Sequence, residues 1–138
     1  MEVVVNYWAV LFAALSSMVV GSLWYSPAVF GKTWEKTFKQ NKKRAKKEMP
    51  LVMFVTLVAS LLMAYILAHV AYLANQFFGN SFLQDTMTTA VFLWLGFSVP
   101  AILGGLFEQR RKAAMMLQIG NVLVTLEVMA LIIGLMGV

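Results

Sequence analysis

Apolar and polar positions alternate in this chain on the scale of whole segments. Four apolar stretches, 7–26, 51–73, 86–107 and 114–137, are separated by more polar ones. Each holds about 20 to 24 residues, which at about 1.5 Å per residue covers a hydrocarbon core of about 30 Å. In lipid the backbone must satisfy its own hydrogen bonds, so such segments are helices. The two-residue alternation of a membrane β-barrel is absent. The pattern predicts one all-α integral membrane domain over 1–138, with four transmembrane helices and a polar loop at 27–50.

Composition agrees. Hydrophobic residues make up 61% of the 138 and charged residues 12%, with a mean hydropathy of +0.79. A soluble domain is closer to half apolar and a quarter charged. The absence of cysteine excludes disulfides, thiolate nucleophiles and cysteine metal sites, and the single histidine cannot build a multi-histidine site. No metal and no cofactor is expected.

Charge then orients the spans. The first loop carries Lys32, Lys36, Lys39, Lys42, Lys43, Arg44, Lys46 and Lys47, and the loop after segment three carries Arg110, Arg111 and Lys112. The segment 74–85 has no basic residue, and only Glu2 is charged before Tyr7. By the positive-inside rule both basic loops are cytoplasmic and both termini lie outside. Segment one lacks the basic leader of a signal peptide and is expected to remain as a helix.

The basic loop has structure of its own. Phe30, Trp34 and Phe38 recur every four residues with lysines interleaved. That spacing predicts a short amphipathic helix on the cytoplasmic face, begun by Ser26 as N-cap and Pro27 at the first helical position. Trp24, Tyr25 and Trp34 would sit at headgroup level. Its expected partner is the anionic lipid surface. Nucleic acid is not expected, because no stacking platform or reading motif accompanies the cations.

Small residues mark packing faces. Ala9, Ala13, Ser17 and Gly21 repeat every four residues in segment one, and Thr56, Ser60, Ala64 and Ala68 do so in segment two. Such seams let helix backbones approach closely without a hydrophobic drive, so segments one and two are expected to pack along them. Gly96, Pro100 and Gly104 share that spacing in segment three, where Pro100 removes a backbone hydrogen bond and is expected to kink the helix. Such a kink either lines a cavity or adjusts packing.

Segment four holds the sharpest chemistry. Gln118, Asn121 and Thr125 share one helical stripe, while Glu127 lies about 180° away among Gly120, Ala130 and Gly134. Polar groups on opposite faces are hard to shield within one four-helix bundle, which predicts protein on both sides: a homo-oligomer or a subunit of a larger membrane assembly. Glu127 fits either a neutral acid bonded to a neighbouring helix or a relay or ion-binding group. His69, between Tyr65 and Tyr72 on one face, is its candidate partner. Gln118 and Asn121 read most simply as interhelical hydrogen-bonding groups.

The run Asn6-Tyr7-Trp8-Ala9-Val10, then Gly21-Ser22-Leu23-Trp24-Tyr25-Ser26-Pro27 with Phe30-Gly31 and Trp34, resembles the opening signature of the domain-of-unknown-function family numbered 1761. Phe107-Glu108 with Arg110 is similar to that family's second recurring patch, although Arg111 stands where its pattern has proline. The resemblance implies a four-span architecture in the inner membrane of a bacterial cell and makes the Trp-Tyr-Ser-Pro turn a defining element. It brings no activity. The residues show no nucleophile–base pair and no phosphate loop, so no enzyme is expected. The leading reading is a non-catalytic, oligomer-forming or accessory membrane subunit, and the alternative is an oligomeric permeation element using Glu127.

Overall fold

A computed structural model describes residues 2–37 and 41–138. Its helices are α1 (Tyr7–Trp24), α2 (Gly31–Thr37), α3 (Lys42–Phe78), α4 (Phe82–Phe107) and α5 (Lys112–Met136). α1, α3, α4 and α5 are each long and apolar enough to cross a membrane. The chain therefore has the architecture of a multi-pass membrane protein. An odd–even count places both termini at one end of the bundle, where the Asn6 side-chain amide donates to the Met136 carbonyl at 3.5 Å. The basic segments gather at the other end.

Each boundary has a local cause. Asn6 caps α1 by accepting from the Ala9 N–H, and Ser81 caps α4 by accepting from Gln84. Asn41 accepts from the N–H groups of Lys43 and Arg44, so α3 begins nine residues before the apolar stretch that predicts it. The lysines at 42–47 thus lie on a helix and not in a loop, because Lys, Arg and Glu favour helix once a cap is supplied. An Arg44–Glu48 ion pair at 2.8 Å adds one turn-to-turn contact. Gly79, left-handed at φ 69°, closes α3.

The predicted cap at Ser26 is replaced by something tighter. Ser26 turns its hydroxyl back to the Leu23 carbonyl, while its own carbonyl accepts from the N–H groups of Val29 and Gly31. Pro27 occupies the second position of that turn, where its fixed φ suits it and its missing donor is not needed. A Cβ on Gly31 would fall 2.6 Å from the Ser26 carbonyl carbon and 2.7 Å from the Tyr25 carbonyl oxygen. Only glycine fits there, and α2 starts from that residue. Rings fasten the turn from both sides: Trp24 lies 4.6 Å from Phe30, and Tyr25 lies 4.7 Å from Trp34. Phe38, the third predicted anchor, lies outside the described residues.

α1 packs on α3 and α5, and α4 packs on the same two, closing a four-helix ring. Its core is built from small side chains: Ala9, Ala13, Ala64, Ala90 and Ala130 are fully buried beside Leu67, Met129 and Ile133. Bulkier groups such as Phe12, Leu62, Phe92 and Phe97 point outwards. Lipid tails solvate such groups as well as a core does, so close backbone approach decides what lies inside.

Candidate functional site

The α1–α3 seam follows the predicted spacing over most of its length. Ala9, Ala13 and Ser17 of α1 are buried, as are Ser60, Ala64 and Ala68 of α3, and Ser17 and Ser60 share a hydrogen bond of 2.6 Å. Towards the basic end the two helices part. Thr56 is exposed and spends its hydroxyl on the Val52 carbonyl, and a Cβ on Gly21 would meet no described atom within 4 Å. These two positions therefore leave the seam.

Their separation opens a groove of about 630 Å3 between α3 and the α1–α5 pair. Met18, Met49, Met53 and Met63 supply much of its apolar wall, and Ser17, Ser22, Tyr25, Asn121 and Thr125 supply its polar groups. This volume and mostly apolar lining, with a few convergent polar groups, are those of a small-molecule site. The Asn121 amide nitrogen is buried and finds no hydrogen-bond partner among the described residues. Gln118, on the predicted stripe with Asn121, is exposed and does not border the groove.

Glu127 lies elsewhere on α5. One helical repeat before it, Gly120 admits the Trp24 ring to 3.1 Å from where a Cβ would stand; one repeat after it, Gly134 receives Leu83 of α4. The face of α5 that carries Glu127 is thus met by α1 towards one end and by α4 towards the other. Two indoles strengthen this grip. Trp24 donates to the Leu117 carbonyl at 3.1 Å and Trp94 to the Ile119 carbonyl at 3.0 Å. Trp24 is therefore a packing residue as well as a boundary one. Glu127 remains half-buried, and its Oε1 is buried without a partner among the described residues.

The other predicted groups are not brought to Glu127. His69 packs its ring 5.8 Å from Tyr65, and its Nδ1 is buried and unpartnered among the described residues. Pro100 is exposed, as is Gly96, and Cβ atoms at Gly96 and Gly104 would meet no described atom within 4 Å. Gly96 and Pro100 therefore face away from the bundle, and neither borders the groove. α4 instead meets α5 through Gly105, at Met115.

One polar cluster escaped the sequence reading. Asp85, only 4% exposed, accepts from the Asn75 amide at 2.7 Å and the Asn80 amide at 3.0 Å. Asn75 also donates to the Asn80 carbonyl at 2.8 Å. The cluster ties α3 to α4 and borders a second cavity of about 210 Å3 with Thr88 and Thr89. Its signal was available: an acid in the first turn of a helix, preceded by two asparagines across a tight connection. Among the described residues no group of acids and histidine is placed to hold a metal ion.

No curated protein and no solved structure matches this chain. A family model described as "Protein of unknown function (DUF1761)" matches residues 8–134, which takes in all four spans, the Trp-Tyr-Ser-Pro turn and the groove. The chain belongs to that family.

Proposed function

We propose that the protein is a non-catalytic subunit of a membrane assembly, joining copies of itself or another membrane protein through the open flank of α5. It does so in the inner membrane of a bacterial cell, with its basic end in the cytoplasm and both termini outside. One observation carries this reading: Glu127, in mid-span, is only partly buried by its own chain, and its Oε1 finds no hydrogen-bond partner among the described residues. A carboxyl group at that depth is costly unless it is hydrogen-bonded, and a neighbouring subunit offers the missing partner. The permeation reading has less support, because Glu127, His69 and Pro100 border neither of the two cavities.

Native mass spectrometry from mild detergent, paired with cross-linking in the membrane, tests the proposal. The wild-type chain is expected as a defined oligomer or complex. Glu127→Gln keeps a hydrogen-bonding group and should keep the assembly. Glu127→Leu should weaken it by about tenfold, since interhelical hydrogen bonds in membranes reach at most about 1.7 kcal/mol. A wild-type monomer in both measurements would overturn the reading.

A further inference from the structure

We infer that the groove between α3 and the α1–α5 pair is a binding site for an anionic glycerophospholipid, which lodges one acyl chain in it. The argument goes beyond the assembly reading and does not depend on it.

Three features of the groove match three parts of such a lipid. The first is the continuation of its wall. Lys42, Lys46, Met49, Met53, Thr56 and Ser60 follow one another at steps of three or four residues, which is one face of α3. Met49 to Ser60 on that face border the groove. The two lysines extend it past the apolar stretch, where α3 carries its charge. A lysine on this stripe lays its alkyl stem along the wall and offers its ammonium group to a phosphate at the mouth.

The second feature is the tail channel. From Met49 to Met63 the groove follows α3 for 14 residues, about 21 Å of helix rise. Its volume over that length holds one extended chain. The walls are rich in methionine, whose unbranched thioethers adapt to a flexible apolar ligand. Val52 and Met53 are exposed, so the groove opens sideways and the second chain stays in the bilayer.

The third is Asn121. It borders the groove with Thr56 and Ser60, on the stretch of wall beyond Met49 and Met53 from the two lysines. A lipid with its phosphate at the mouth passes Asn121 on its way into the groove. The amide nitrogen lacks a partner, and a half-turn of the carboxamide presents it to the groove. An ester carbonyl is the acceptor it lacks.

The test is native mass spectrometry of the full chain in mild detergent, titrated with phosphatidylglycerol or with phosphatidylcholine. One phosphatidylglycerol per chain is expected, bound at least about fivefold more tightly than phosphatidylcholine, the preference one lysine near a phosphate confers. The Lys42→Gln, Lys46→Gln double variant should bind the two lipids alike. Asn121→Leu should weaken both about fivefold, the effect of one lost hydrogen bond. Gly21→Leu projects a side chain into the groove from a position with free space and should abolish the adduct. Met53→Trp blocks the opposite wall and should do the same. Helix content and unfolding midpoint confirm that each variant is folded. Equal binding of both lipids by the wild type, undiminished binding by folded Gly21→Leu and Met53→Trp, or a lipid-free dimer that covers the groove would each overturn the inference.

Discussion

Ser17 of α1 and Ser60 of α3 meet hydroxyl to hydroxyl at 2.6 Å, at the point where the two helices begin to part. Above this contact alanine lies against alanine; below it the groove opens. Ser60→Ala removes the bond and leaves the close approach intact, so it should cost about 0.6 kcal/mol, the average for such contacts in membranes. Ser60→Leu forces a larger group into the seam and should cost about 1–3 kcal/mol. Reversible unfolding in mixed micelles separates the two, and equal costs would refute the seam.

Gly31 is held against the Ser26 and Tyr25 backbone with no room for a methyl group. Backbone cannot yield as a side-chain tip can, so Gly31→Ala should cost at least about 2 kcal/mol and loosen the rings around Trp34. Gly96→Ala, where the added atom meets nothing described, should be neutral or stabilising by up to about 1 kcal/mol. Unfolding midpoints and tryptophan emission of the pair provide the comparison.

Asp85 holds the Asn75 and Asn80 amides together at the α3–α4 connection. Asp85→Ala removes the acceptor that both amides share and should cost about 1–3 kcal/mol. A double-mutant cycle with Asn75→Ala should show coupling of at least about 0.5 kcal/mol, and additive costs would mean the cluster does not act as a unit.

Orientation can be read directly because the chain contains no cysteine. A cysteine at Lys47 should react with a membrane-impermeant maleimide only in inside-out vesicles. One at Glu2 should react only in right-side-out vesicles. The reverse pattern would invert the proposed topology.

Much of the architecture was legible in the sequence because lipid imposes it locally. Any stretch of twenty apolar residues must become a helix, whatever its neighbours. The α1–α3 seam was legible for a related reason: small residues every four positions form a continuous low ridge on any helix. The same spacing brings no packing partner to Gly96 and Pro100, which face outwards. Spacing shows that a face is smooth, but not which neighbour it meets. Asp85 was not legible because Asn75, near the end of α3, and Asn80, in the connection, reach it only once the Gly79 turn folds the chain back.

By itself, then, the sequence determined the four membrane-length helices, the short helix after the first, the basic end and the family. Hydropathy and charge are properties of each segment alone, and they suffice for these. Tertiary structure decided which faces of α4 and α5 are inside, because lipid and core solvate apolar side chains almost equally and leave no amphipathic mark to read. It also decided that α3 swings away from α1 below Ser17 and Ser60. From that divergence come the groove and the unpartnered amide of Asn121 on its wall.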